Sequence, residues 1–555
     1  MVRLALALAV ALLAALVFLP VLHGQFLSWD DDAMFINNPA YRGLGPSQLA
    51  WMVTTTRMGH YMPLTWLTFG ATYVAAGMNP WAYHLGSLLL HALDAALVTG
   101  LAWALIARAL ERDGPRAPGA PGAPVAPTAV GAAVAGLAFG VHPLRAESVA
   151  WITDRSDLLC AAFVLLALLA YLRAIGDDGA LRWRPWGILA LLAMAAALLS
   201  KEIAVTLPAV LLVLDAYPLR RPVGWTRRLG EKWPFVALGL AGAVMALLAR
   251  SAGARFSPLA EYGIGARLAL AAHSVWYFVV ATVWPLGLAP FHEPPLRVNP
   301  LDARFLGPAI AVVALTAGLL LLRRRWPAGL AAWTAYAVTL LPVSGLAHSG
   351  SQLVAERYAY LPGVALALLL GGAAAAAARA AADRSRRRTA AAALLVFLAL
   401  AMVDWAIVAR AHARSWRDGL TFWQVSAAAD PGCRLCVLNL SSEHFNAGRF
   451  AEAEAWARRA IPLWPDRGTP HHRLGAALLM QGRDAEAEAE LRDAVRLAPR
   501  LAEAHRELGR LYVRQGRAAE AATAMREALL LGVPPAEVES VLRPLEGPAP
   551  ASGPR

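Results

Sequence analysis

The chain has 555 residues, is 58% hydrophobic with a mean hydropathy of +0.48, and is only 16% charged. A water-soluble chain of this size carries about 25% charge, so the composition excludes an ordinary soluble enzyme. The net charge of +13 does not point to nucleic acid, because Lys and Arg cluster in short loops between apolar runs, as the positive-inside rule expects.

The first apolar run, Leu4 to Leu22, lacks a small-x-small cleavage site and reads as a retained anchor. Five basic clusters follow: Arg108, Arg112 and Arg116; Arg173, Arg182 and Arg184; Arg220, Arg221, Arg227, Arg228 and Lys232; Arg323 to Arg325; and Arg384 to Arg388. Placing all five in the cytoplasm gives eleven spans, near 4–22, 85–106, 127–141, 157–173, 186–200, 203–218, 234–250, 305–322, 328–345, 358–379 and 390–409. The expected fold is all-α, because helices are the plausible spanning element for such runs. Two further apolar stretches, 62–77 and 267–290, break the alternation and read as re-entrant or interfacial. The Pro/Ala/Gly-rich stretch 112–128 reads as a flexible connector.

After Arg410 charge rises and a 34-residue period appears: Pro431, Pro465 and Pro499; Leu440, Leu474 and Leu508; Gly448, Gly482 and Gly516; Ala460, Ala494 and Ala528. Gly475 and Gly509 form another column that Ser441 breaks. This is the tetratricopeptide period, a soluble α-solenoid of helix pairs. The expected organisation is a membrane domain at 1–410, a linker at 411–433, about three repeats at 434–535 and a flexible tail at 536–555. Cys433 and Cys436 form a lone C-x-x-C, too few ligands for a structural zinc site and readable as a disulfide or redox pair.

This topology gathers ionisable residues in the outer loops: Asp30 to Asp32, His142, Arg145, Glu147, Asp154, Arg155, Asp157, Lys201, Glu202, Glu356 and Arg357. Ionisable groups crowded against span ends are functional candidates. Carboxylates beside bases at a bilayer surface suit transfer of a sugar from a polyprenyl phosphate. Arg and Lys would hold the phosphate, and a carboxylate would take the proton of the attacking hydroxyl. No phosphate-cradling glycine loop is present. No metal site is evident in the sequence, and dependence on a divalent cation stays open.

The stretches "FLSWDDDAMFINNPAY" (26–41), "MPLTWLTFGATYVAAGMNPWAYHLGSLLLHALDAAL" (62–97), "HPLRAESVAWITDRSDLL" (142–159), "LLSKEIAVTLPAVLLVLDAYPL" (198–219) and "AERYAYLPG" (355–363), followed by the repeats, resemble the transmembrane and tetratricopeptide-repeat-containing O-mannosyltransferases. The resemblance implies a C-type glycosyltransferase fold and transfer of a sugar, mannose in the first instance, to Ser or Thr of extracytoplasmic proteins. Its acidic pair maps onto Asp30, the expected base, and Asp31, with Asp32 an extra acid. Arg357, Lys201, Arg145 and Arg57 are the candidates for the donor phosphate, with Glu147, Glu202, Glu356, Tyr358 and His142 in support. The Ala/Arg-rich usage favours an undecaprenyl over a dolichyl carrier and a bacterial inner membrane. The expected partners are the polyprenyl-phosphate sugar, the membrane and acceptor proteins, which the repeats would help to bind. Two other readings compete: a glycan or lipid acceptor, and a membrane-anchored scaffold without catalysis.

Overall fold

The computed structural model describes residues 1–113, 125–252, 262–346, 352–382 and 387–543. Most of the connector, part of the basic cluster at 384–388 and the end of the expected tail lie outside them. The described residues are helical throughout, with one isolated bridge between Ile175 and Leu181. They form two compact units, one of 1–290 with 294–418 and one of 291–293 with 419–555.

In the first unit, eight described helices are long and apolar enough to cross a bilayer. A ninth candidate is the pair Val125–Gly140 and Pro143–Ala150, bent by 58°. Large apolar side chains stay exposed at helical spacing, as with Val396, Phe397, Leu400, Val403 and Ile407. Such stripes are what lipid-facing helices present. Where helices meet, small residues let them close up. A Cβ on Gly131 would lie 2.6 Å from the carbonyl oxygen of Gly371.

The elements differ from the expected eleven spans at several places. Trp183–Leu198 and Pro327–Val343 are apolar but short. Residues 203–218 divide into a 3₁₀ turn, Glu202–Thr206, and a ten-residue helix, Leu207–Ala216. Pro208 near the start of that helix shortens the run. The 267–290 stretch is not re-entrant: Ile264–Val283 is one unbroken helix. It is itself among the eight helices long and apolar enough to cross. Arg267 donates to Leu346 O near one end, and His142, at the bent break, bonds Thr282 O near the other. The 62–77 stretch holds the fourteen-residue helix Pro63–Ala76, whose first turn is tied to Leu199 O and Ser200 O.

At the opposite end of the bundle, two residues of the densest basic cluster are not merely topological. Arg221 and Lys232 are buried, and each lies 2.8 Å from Asp215 Oδ2, while Tyr171 donates to Asp215 Oδ1 at 2.5 Å. This closed polar network pins the loop 217–232 to the helices.

The second unit is three helix pairs, Arg434–Asn446 with Phe450–Leu463, Gly468–Met480 with Asp484–Leu497 and Ala502–Arg514 with Ala518–Leu530, followed by Pro535–Leu542. The glycine column forms the turns within each pair: Gly448, Gly482 and Gly516 have φ of +72°, +75° and +72°, where a side chain would be strained. Gly475 sits at a helix crossing, where a Cβ would lie 2.6 Å from Leu491 Cγ. Ser441 breaks that column without harm, because its hydroxyl donates to Ala453 O on the facing helix at 2.8 Å. The unit begins before the repeats, with the helix Gly419–Ala429 and its buried Phe422 and Trp423 inside the 411–433 stretch.

Candidate functional site

A cavity of roughly 400 Å³ opens in the first unit where six turns and helix ends converge: 29–34, 58–62, 151–156, 200–202, 342–345 and 352–358, with Arg250 from the end of Trp233–Ala252. The acid-rich segment forms one wall. It follows the first helix, Val2–Phe18, and turns through Asp32–Ile36. Arg57 braces this turn by donating from Nε to Ala33 O at 3.0 Å.

The three aspartates diverge. Asp30 lines the cavity. Asp31 is wholly buried; its Oδ2 accepts the Leu27 N–H at 2.9 Å and its Oδ1 the Thr153 hydroxyl at 2.6 Å. Burial pushes the Asp31 carboxyl up to about 7, against the pull of those hydrogen bonds and with some help from Asp30. Asp32 folds back, Oδ1 accepting from Ala33 N–H at 2.7 Å.

Three cations line the same cavity as Asp30, each set by an acid. Arg357 is paired with Glu147, which is fully buried and also accepts the Arg357 backbone N–H at 2.9 Å. Lys201 is paired with Asp157 and lies 3.9 Å from Asp154 Oδ1. Arg250 lies 2.9 Å from Glu202 Oε1, with His60 Nδ1 3.4 Å from the same oxygen. Burial alone would push Lys201 down and Glu202 up, but the neighbours reverse both. Asp157 and Asp154 hold the ammonium above its usual range, and His60 and Arg250 hold Glu202 well below the carboxylate range. Arg357 is likewise raised by Glu147 against its own burial. The result is a set of oriented, permanently charged donors beside a carboxylate.

Of the expected residues, Asp30, Lys201, Glu202, Arg357 and Tyr358 line the cavity. Glu147 supports from beneath. The others serve elsewhere. Arg57 holds Ala33, and Arg145 is buried, donating to Ala359 O at 2.7 Å and lying over the Phe139 and Tyr360 rings. Neither is among the residues that line this cavity. Glu356 accepts from His412 at 2.7 Å, and His142 caps Leu144 N–H through Nδ1 and bonds Thr282 O through Nε2. Arg250 and His60 were not among the expected site residues. Arg250 closes an apolar run and looks like an ordinary span end, although a base at that end runs against the positive-inside pattern. No group of three or more His, Cys, Asp and Glu among the described residues is arranged to hold a metal.

Next to the polar cavity lies an apolar groove of roughly 660 Å³, bordered by the helices Pro80–Asp113, Arg155–Ala174, Leu207–Ala216, Pro327–Leu340 and Gly363–Ala382. Three segments serve both. Residues 201–202 line the cavity and Thr206–Leu207 the groove; Pro342 and Val343 line the cavity and Thr339 the groove; Arg357 and Tyr358 line the cavity and Leu361 the groove.

The chain is 34% identical over 175 residues to the protein O-mannosyl-transferase TMTC2 of Mus musculus, covering 31% of this chain and 18% of that protein. It is 32% identical over 222 residues to Tmtc1 of Drosophila melanogaster (38% and 22%) and 30% over 228 to human TMTC4 (38% and 29%), both also named protein O-mannosyl-transferases. It thus spans less than a third of the length of these relatives. A tetratricopeptide-repeat family model matches residues 435–464. Among solved structures, ArnT from Cupriavidus metallidurans bound to undecaprenyl phosphate aligns with 90% of this chain and 80% of its own, at 16% identity and a TM-score of 0.33.

Proposed function

We propose that this chain, similar over part of its length to the transmembrane and tetratricopeptide-repeat-containing O-mannosyl-transferases, transfers a sugar, mannose in the first instance, from a polyprenyl phosphate to Ser or Thr hydroxyls of extracytoplasmic proteins. The observation that carries the reading is the adjoining of a cationic polar cavity and an apolar groove through three shared segments. A polyprenyl-phosphate sugar has the matching polarity: a charged head for the cavity and a hydrocarbon tail for the groove.

In this mechanism Asp30 accepts the proton of the acceptor hydroxyl as its oxygen attacks the anomeric carbon. The bond from that carbon to the phosphate oxygen breaks, and polyprenyl phosphate leaves. Arg357, Lys201 and Arg250 stabilise the charge that collects on the phosphate. Because Glu147, Asp157 and Glu202 already orient them, little reorganisation is needed at the transition state. Asp31 positions its neighbour by anchoring the turn to Leu27 and Thr153. The disulfide between Cys433 and Cys436 supports a reading in which the repeats face an oxidising compartment outside the cytoplasm.

The test is incubation of the purified chain with polyprenyl-phosphate mannose and a Ser/Thr-rich peptide. The expected product is a peptide carrying one hexose on a hydroxyl side chain. Label appearing only in a glycan or lipid would change the acceptor, and no consumption of any polyprenyl-phosphate sugar would contradict the reading.

A further inference from the structure

Three side chains that line the cavity each leave a polar atom buried without a hydrogen-bond partner: Trp151 Nε1, Asp154 Oδ2 and Gln352 Oε1. All three residues are more than nine-tenths buried. An orphaned polar atom in such a place costs about 1–3 kcal/mol, and native folds rarely accept three around one cavity unless something else completes them.

The surroundings say what each atom has left to offer. The Trp151 ring already meets the Trp416 ring at 6.1 Å and the Arg357 guanidinium at 5.2 Å, so its edge N–H is the remaining function. Asp154 turns Oδ1 towards Lys201 Nζ and Arg357 Nε, both at 3.9 Å, leaving Oδ2 as an acceptor. Gln352 lies five residues before Arg357, on the segment that carries it. One donor and two acceptors thus border the cations assigned to the phosphate. Hydroxyl groups donate and accept at once, so a polyol can satisfy all three. An acidic sugar would set its carboxylate against Asp154.

We infer that Trp151, Asp154 and Gln352 form the sugar subsite and select a neutral, polyhydroxylated ring next to the phosphate. This deepens, and rests on, the sugar-transfer reading. Trp151 and Asp154 share one 3₁₀ turn, tied by the Asp154 N–H to Trp151 O at 3.1 Å. The two therefore read the ring as a unit, with Gln352 supplied from a separate segment.

The experiment compares the affinity of the full-length detergent-purified chain for polyprenyl-phosphate mannose and for bare polyprenyl phosphate, in the parent, Trp151→Phe and Gln352→Ala. Each variant is expected to weaken the mannose-bearing lipid about two- to tenfold, the range of one lost neutral hydrogen bond, and to leave the bare lipid unchanged. Bare-lipid binding doubles as the check of folding, and if Trp151→Phe fails it, Gln352→Ala decides. Equal loss for both lipids in Gln352→Ala, or no loss for either, overturns the subsite while leaving the donor reading intact. A parent that binds neither lipid contradicts the donor reading and removes the subsite with it.

Discussion

Asp30 and Asp31 are adjacent in sequence and opposite in circumstance. Asp30 borders the cavity, whereas Asp31 is buried with both oxygens occupied. With its carboxyl raised to about 7 from an ordinary 3.8, Asp31 binds its proton more tightly folded than unfolded. Its contribution to stability is therefore complete below about pH 4 and lost as pH rises through about 7, about 4 kcal/mol in all. Thermal melts should favour Asp31→Asn over the parent progressively more from pH 5 to pH 8; a constant difference would refute the assignment. Activity should divide the other way. Asp30→Asn removes the base and should cost about 10²–10⁴-fold in turnover, while Asp31→Asn, which perturbs only position, should cost about tenfold. The sequence made the acid cluster legible as a site, because three carboxylates beside a span are costly unless used. Which acid faces the cavity was not legible beyond the resemblance, since it depends on a turn braced by Arg57 and on Thr153, 122 residues away.

At the scale of elements, the segments 142–147 and 355–360 make the same point. Each was visible as a charged motif, but the Arg357–Glu147 pair that joins them spans 210 residues. Arg145, in the same motif as Glu147, was a candidate for phosphate behind Arg357 and Lys201, and packing sends it to Ala359 and the Phe139 and Tyr360 rings. Arg357→Ala would deprive the buried Glu147 of its ion-pair partner, at a cost of about 3–5 kcal/mol. Adding Glu147→Gln should restore the melting temperature but not transfer. If the double variant regains activity, Arg357 is structural only. The repeats were the most legible element, because a fixed period repeats the same turn and crossing. Gly475→Val should destabilise that unit by about 1–3 kcal/mol through overpacking against Leu491, seen as faster proteolysis within 434–543 with the membrane unit unaffected.

At the scale of the whole molecule, hydropathy and charge sufficed for an all-helical membrane protein followed by a solenoid. They did not suffice for the count of spans. Ile264–Val283, expected to be re-entrant or interfacial, is a helix long and apolar enough to cross, and Pro-started helices such as Leu207–Ala216 fall short of a full crossing. What the architecture brings together is a carboxylate, three oriented cations and an apolar groove, which we propose act on one lipid-linked sugar. The most direct test supplies radiolabelled polyprenyl-phosphate mannose and extracytoplasmic proteins to membranes bearing the parent or Asp30→Asn, matched for expression. Ser/Thr-linked label made by the parent and absent with the variant is the predicted result. Equal label from both would contradict the central claim that Asp30 is the base of this transfer.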